Sequence, residues 1–304
     1  MLPKIPCTIV AALVFAIGCG PSASGQDPGA VDSGITGSGS GGADASGVDS
    51  PIGTGSGQTG CEGLNNCFSV YAHSDHVLYV VDLAAKTIAT VGPLAPAGAT
   101  SPGDVMTDLA VAPDNTIYMI SEFSLFTASP VDGHVTKVGS LSTCGNRAVA
   151  LTTTPAGKIY TGDYSGSLCE IDITQSPPVV RPPVKMSGGL ALAGDLVAID
   201  DGTVYGTAYK LSDNATKRNN LLVDIDLATG AVTQHGATGF PDLYGASFAL
   251  GKVFGFTHDG TGDVVTIDRT TGQSTMFASF KDPTTGLPIS FAGAGVNSLV
   301  TVVQ

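Results

Sequence analysis

One repeated unit limits the fold of this chain more than any other feature. Its clearest copy runs Leu109-Ala-Val-Ala-Pro-Asp-Asn-Thr-Ile-Tyr118, then Leu125-Phe-Thr-Ala128, then Asp132-Gly-His-Val-Thr-Lys-Val-Gly139. Echoes follow at Ala156–Tyr160 with Leu168–Asp172, at Asp201–Tyr205 with Leu222–Asp226 and Thr229–Thr233, and at Gly251–Phe254 with Val264–Asp268 and Thr271–Gly272. Alternating runs rich in Val, Ile and Tyr are strands, and Asp-Gly, Asp-Asn and Thr-Gly pairs supply the hairpin turns. Asp82, Ser129, Asp172, Asp226 and Asp268, aligned at the end of each third strand, are spaced by 47, 43, 54 and 42 residues. Four-stranded units at that period predict an all-β chain, a β-propeller of five four-stranded blades. Val77–Gly92 reads as the second half of a unit and Phe291–Val303 as the first half. The two ends are therefore expected to complete one blade together and hide both sheet edges. A sixth blade is the alternative if Leu190–Asp195 opens another strand set, and a β-sandwich is the rival architecture.

Charge narrows the partners. A net charge of −13 with only 13 Lys and Arg disfavours nucleic acid, whose binding draws its affinity from basic side chains. The same balance argues against a polybasic membrane patch and fits a solubility role in a secreted protein.

The first residues are an address. Lys4 precedes an apolar run from Ile5 to Ile17, too short to span a bilayer and suited to a signal peptide over residues 1–18. The run ends in Ala16-Ile17-Gly18-Cys19, which resembles the lipobox of bacterial lipoproteins, with Ala16 where that family usually has Leu. The resemblance implies lipidation of Cys19 and membrane anchoring through the acyl chains. Gly20 and Pro21 lack the acidic residue that marks inner-membrane retention in enterobacteria, so the resemblance slightly favours the outer membrane, with the protein facing periplasm or exterior. Residues 19–60 are almost entirely Gly, Ser, Ala, Thr, Asp and Pro, without Lys, Arg or aromatics. Such a stretch cannot offset its ordering entropy and is expected to be a tether reaching about 35 Å. Gly37–Gly42 spells the dinucleotide fingerprint GxGxxG, but no strand precedes it and no helix follows.

The remaining residues, 61–304, form the expected propeller domain. From about Phe68 onward its Ile-Asp…Thr-Gly grammar resembles the NHL-like and YVTN-type repeat propellers of bacterial extracytoplasmic proteins. That resemblance speaks to architecture and not to activity. Cys61, Cys67, Cys144 and Cys169 are an even set suited to disulfides in an oxidising compartment. Three pairings are open; Cys61–Cys67 and Cys144–Cys169 are favoured. No close C-x₂-C pair supports zinc.

No catalytic constellation stands out. His73-Ser-Asp75-His76 is the densest metal-capable cluster and reads more simply as a polar hairpin turn. His258–Asp263 lacks the ligand spacing of an EF-hand and reads as another turn. Gly245-Ala-Ser247-Phe-Ala249 approaches a nucleophile elbow but has no helix after it. Propeller ligands gather where the innermost strands converge, so the candidate mouth residues are Asp104, Asp108, Asn146, Arg147, Asp242, Tyr244 and Asn297. Arg147 could clamp a carboxylate or sugar, or pair with Asp108 from the neighbouring blade. The insertion Lys210–Asn220 carries Lys210, Lys217 and Arg218, a basic island and a candidate partner contact. The expected function is a monomeric, membrane-anchored binding module for an envelope or extracellular protein, peptide or glycan, with no cofactor and no nucleic acid. A metal-dependent propeller lyase or lactonase and an envelope scaffold subunit are the alternatives; only Glu62, Glu122 and Glu170 are present, and their dispersal weighs against the enzyme.

Overall fold

The computed structural model describes residues 68–96, 104–141, 144–145, 147–213 and 220–299. The Cys19 lipidation site, the tether, the Cys61–Cys67 pair, Asn146, Lys217 and Arg218 lie outside these. Within them the alternating runs form five antiparallel sheets.

Blade 1 contains β1 (Ser69–His73), β2 (Val77–Asp82) and β3 (Thr87–Pro93). Blade 2 contains β4 (Met106–Val111), β5 (Ile117–Ser121), β6 (Ser124–Ala128) and β7 (Val135–Ser140). Blade 3 contains β8 (Ala148–Thr153), β9 (Ile159–Asp163) and β10 (Ser167–Asp172), and its outer strand is split into β11 (Val179–Val180) and β12 (Val184–Lys185) around two prolines. Blade 4 contains β13 (Leu190–Ala198), β14 (Val204–Lys210), β15 (Leu221–Ile225) and β16 (Val232–Ala237). Blade 5 contains β17 (Leu243–Ala249), β18 (Lys252–Thr257), β19 (Asp263–Ile267) and β20 (Ser274–Ser279). The last strand, β21 (Gly293–Gly295), returns to pair with β1 and becomes the innermost strand of blade 1.

Two expectations are corrected. Leu190–Asp195 belongs to the long inner strand of blade 4 and opens no further strand set, so the described residues form five blades and not six. The terminal blade is built from three N-terminal strands and one C-terminal strand, because the apolar run Ser69–His73 is itself a fully buried strand.

The repeat grammar does its work at the hairpins. Asp226 Oδ1 accepts the Ala228 and Thr229 amides, and Asp268 Oδ1 accepts those of Thr270 and Thr271. Each carboxylate thus folds the turn between third and fourth strands and satisfies amides that lack a ladder partner. Hydrophobic cores lie between blades. Phe248, Phe254, Phe256 and Phe291 fill the largest, where blade 5 meets blades 1 and 4, and Phe256 meets Phe291 edge-on with centroids 5.2 Å apart. Neighbouring blades also approach backbone to backbone. A Cβ on Gly92 of β3 would stand 2.0 Å from the Asp132 carbonyl of the blade 2 hairpin, so no larger residue fits there.

Cys144 and Cys169 form a disulfide that ties the entry to β8 to the third strand of blade 3, with Cα atoms 5.8 Å apart. It closes a loop with a sequence separation of 25 residues. The chain-entropy relation gives such a loop about 3.5 kcal/mol. Replacing both cysteines by serine should lower stability in urea by 3–4 kcal/mol, roughly, with a somewhat larger m-value as the unfolded chain expands; a loss below about 1 kcal/mol would show that the staple only decorates the blade.

Candidate functional site

The innermost strands β4, β8, β13, β17 and β21 touch one another in turn around the ring. Four of them break register near the start: at Thr107 in β4, Val149 in β8, Ala193–Asp195 in β13 and Tyr244 in β17. A bulge leaves residues unpaired and re-aims their side chains. Thr107, Val149, Ala193, Gly194 and Tyr244 all line one cavity of about 270 Å³, and Ala292 beside β21 completes the circle. The mouth is therefore built from all five blades, largely from one bulge in each of four and from the approach to β21 in the fifth.

The hairpins between second and third strands supply its polar wall: Asp75 from blade 1, Glu122 from blade 2, Tyr164 from blade 3 and His258 from blade 5. The Tyr244 and His258 rings stack with centroids 4.7 Å apart and planes inclined by 20°. His258 Nε2 lies 3.5 Å from Asp75 Oδ1, and Arg147 Nε lies 3.0 Å from Glu122 Oε2. The Tyr209 hydroxyl donates to the Tyr164 carbonyl at 2.8 Å and fixes that hairpin. Burial holds the Tyr164 phenol protonated well beyond its ordinary range. A second cavity of about 350 Å³ shares Val105, Thr107 and Glu122 with the first and adds Asp104, Ser121 and Phe123. Val105 and Phe123 are about half exposed, at 49% and 51%.

Beneath the mouth, two carboxylates tie the ring. Asp108 in β4 accepts its neighbour Leu109 N at 2.8 Å and Leu151 N of β8 at 2.7 Å. Asp195, carried inward by the β13 bulge, accepts Leu196 N at 2.6 Å, Ala246 N of β17 at 2.7 Å and Ala294 N of β21 at 3.4 Å. Together they reach all five innermost strands. Both are fully buried and hydrogen-bonded to each other. Burial pushes the Asp195 carboxyl up to about 8, and burial with the Asp195 charge drives Asp108 well above the carboxylate range. Two such groups in contact share a proton. His73 is also fully buried, and burial pulls it down to about 4. Its Nδ1 lies 2.8 Å from the Ser74 carbonyl. A carbonyl can only accept, so Nδ1 carries the hydrogen and Nε2, which has no hydrogen-bond partner, is a bare acceptor. A Cβ on Gly293 would lie 2.4 Å from Asp108 Oδ1 and 2.5 Å from His73 Nε2; only glycine lets β21 pass between them.

Of the residues expected at the mouth, Tyr244 lines the first cavity, Asp104 lines the second, and Arg147 and Asp242 enter β8 and β17 at the same end. Asp108 sits inside the ring instead. Arg147 pairs with Glu122 and not with Asp108, which backbone amides already engage. Asn297 belongs to the opposite end, where its Nδ2 donates to the Pro113 carbonyl and to Asn115 Oδ1; β21 begins at Gly293, so Asn297 follows the inner strand. Asp75, Glu122, Tyr164 and His258 were missed as mouth residues. A signal existed: each falls just after the second strand of its blade. The His73–His76 cluster splits, with His73 buried, Asp75 at the mouth and His76 exposed. Asp259 is spent on its own turn, accepting from Thr261, and Ser247 lies buried in mid-strand with another strand after it. Among the described residues no three His, Cys, Asp or Glu side chains gather to hold a metal ion. A larger concavity of about 500 Å³ follows the blade 4 hairpin, but there Asp226 is engaged in its own turn and Asp224 lies beside His235.

Residues 113–286, from the first hairpin of blade 2 through blade 5, match the repeat of unknown function DUF6923. This chain belongs to that family. Among curated proteins no significant match is found. The DUF6923 chain is similar to a solved protein of unknown function from Bacteroides thetaiotaomicron VPI-5482, with 14% identity over 69% of this chain and a TM-score of 0.46. It spans about half, 55%, of that protein's length. It is also similar to virginiamycin B lyase from Staphylococcus aureus, at 13% identity over 73% of each chain with a TM-score of 0.39. A third is the calcium-binding protein regucalcin from Agrobacterium tumefaciens, at 16% identity over 68% of each chain with a TM-score of 0.41.

Proposed function

We propose that this DUF6923 protein is a binding module of the bacterial envelope, anchored through Cys19, whose mouth captures a small polar ligand or a side chain of a larger partner. One observation carries the reading: bulges in four blades and the approach to β21 in the fifth converge on a single cavity, walled by Tyr164, Tyr244, His258, Asp75 and Glu122. A concave, partly apolar site with a few convergent polar groups is where ligands bind. The buried carboxylates beneath it are committed to ring closure, which leaves the mouth a floor and not a catalytic acid. The signal-like residues 1–18 and the acidic surface favour a place outside the cytoplasm.

Saturation-transfer NMR with a library of small fragments, run on the purified chain and on Tyr244→Ala, tests this. Fragments that bind the parent are expected to lose most of their signal in the variant, since truncation removes one wall and releases His258 from its stack. A library in which no fragment distinguishes the two proteins would sink the proposal.

A further inference from the structure

We infer that the mouth is selective for an organic cation: a primary or quaternary ammonium group on a small apolar body. This rests on the mouth being a binding site at all. The chemistry of the two joined cavities carries it. Their carboxylates are Asp75, Glu122 and Asp104, and the basic side chains beside them are already engaged, Arg147 by Glu122 and His258 by Asp75. An anion would meet that field without a free guanidinium to receive it. The side chains of Met106, Val149, Ala193 and Ala292 make part of the lining apolar, and offer a ligand rich in hydroxyls no side-chain hydrogen bond. Thr107 has no donor left for it, because its single hydroxyl hydrogen is shared between the Ala148 and Ile120 carbonyls.

What remains is an apolar base, two tyrosines and carboxylates at the rim. An ammonium satisfies each: its charge faces Asp75 and Glu122, its C–H surface meets tyrosine, and its apolar body covers Val105 and Phe123. Tyrosine attracts such cations through its ring as well as its bulk. A shared, partly desolvated site strengthens the attraction to the carboxylates relative to bulk water. The chain's net charge of −13 adds long-range attraction for the same sign of ligand.

Choline and its neutral isostere 3,3-dimethylbutan-1-ol differ by one charge at nearly constant shape. Titration calorimetry on the full chain is expected to show choline binding at least ten-fold tighter than the alcohol, with methyl α-glucoside and acetate weaker still. Asp75→Asn should weaken choline several-fold. Glu122→Gln should weaken it more, since it removes a carboxylate and frees Arg147 to oppose the ligand. Equal binding of choline and the alcohol, or glucoside binding tighter than choline, would overturn the cation assignment while leaving the mouth a binding site. Failure of all four probes, together with fragments blind to Tyr244→Ala, would overturn the site itself.

Discussion

Between pH 6.5 and 8 this protein should lose about 2 kcal/mol of stability, reading as a fall of roughly 4–8 °C in melting temperature. The cause is the carboxyl pair of Asp108 and Asp195. A carboxyl whose pKa is raised on folding holds a proton that the unfolded chain releases. Its stabilising contribution is full below about 4, declines as pH rises, and is gone above the folded value, about 8 for Asp195. His73 acts the other way. Its pKa falls from 6.5 to about 4 on folding, so its contribution is full above 6.5 and is lost as pH falls towards 4. Between 4 and 6.5 the His73 slope opposes that of the carboxyls, so the profile should fall less steeply there than above 6.5. Above 6.5 only the carboxyl pair remains, at about 1.4 kcal/mol per pH unit for each proton. The exposed turn aspartates have lowered values and do not titrate in this window. Urea unfolding at half-unit pH steps measures the curve. Asp108→Asn combined with Asp195→Asn, which removes both carboxyls that burial raises, should abolish the fall above 6.5. A stability that rises over that window would refute the shared proton.

Asp195→Ala should cost roughly 3–6 kcal/mol, a large part of the 5–15 that holds a typical domain together. The substitution leaves the amides of Leu196 and Ala246 without an acceptor inside the ring, and removes the longer bond to Ala294. Orphaned buried donors cost 1–3 kcal/mol each, roughly, and the cavity is enclosed by inner strands that cannot collapse onto alanine. Asp195→Asn keeps one acceptor oxygen and should cost about half as much. Equilibrium unfolding at pH 5, where both substitutions can be compared with the parent, decides it. If alanine costs no more than asparagine, the amides are finding other partners and the carboxylates do not tie the ring.

Five sheets and their hairpins were legible because the signals are local. The pattern of an aspartate followed by Thr-Gly closes a turn through bonds two and three residues away, and sequence displays that spacing directly. The Cys144–Cys169 staple was legible for a similar reason, through a count of cysteines. The mouth was only half legible. Residues entering the inner strands, such as Asp104 and Tyr244, could be placed from strand starts. The bulges could not: each shifts register by one or two residues inside an apolar run, where the alternation that would reveal a slip is already masked by burial on both faces. Asp108 looked like a mouth acid for that reason, and the inward turn of Asp195 left no trace in the pattern. Asp75, Glu122 and His258 sit on hairpins far apart in sequence, and only the ring brings them to one rim.

The unequal seam in blade 1, three strands from one end of the chain and a single strand from the other, sets an order of assembly. Blades 2 to 5 are runs of neighbouring hairpins and can form as soon as their residues are available. Pairing of His73 with Gly293 must wait for almost the whole chain, at the entropic cost of closing its longest loop. Until then β1 presents a bare edge built of buried residues, the kind of surface that recruits a strand from another copy. A short tripeptide strand, Gly293–Gly295, is thus the latch that separates a finished ring from a sticky open one.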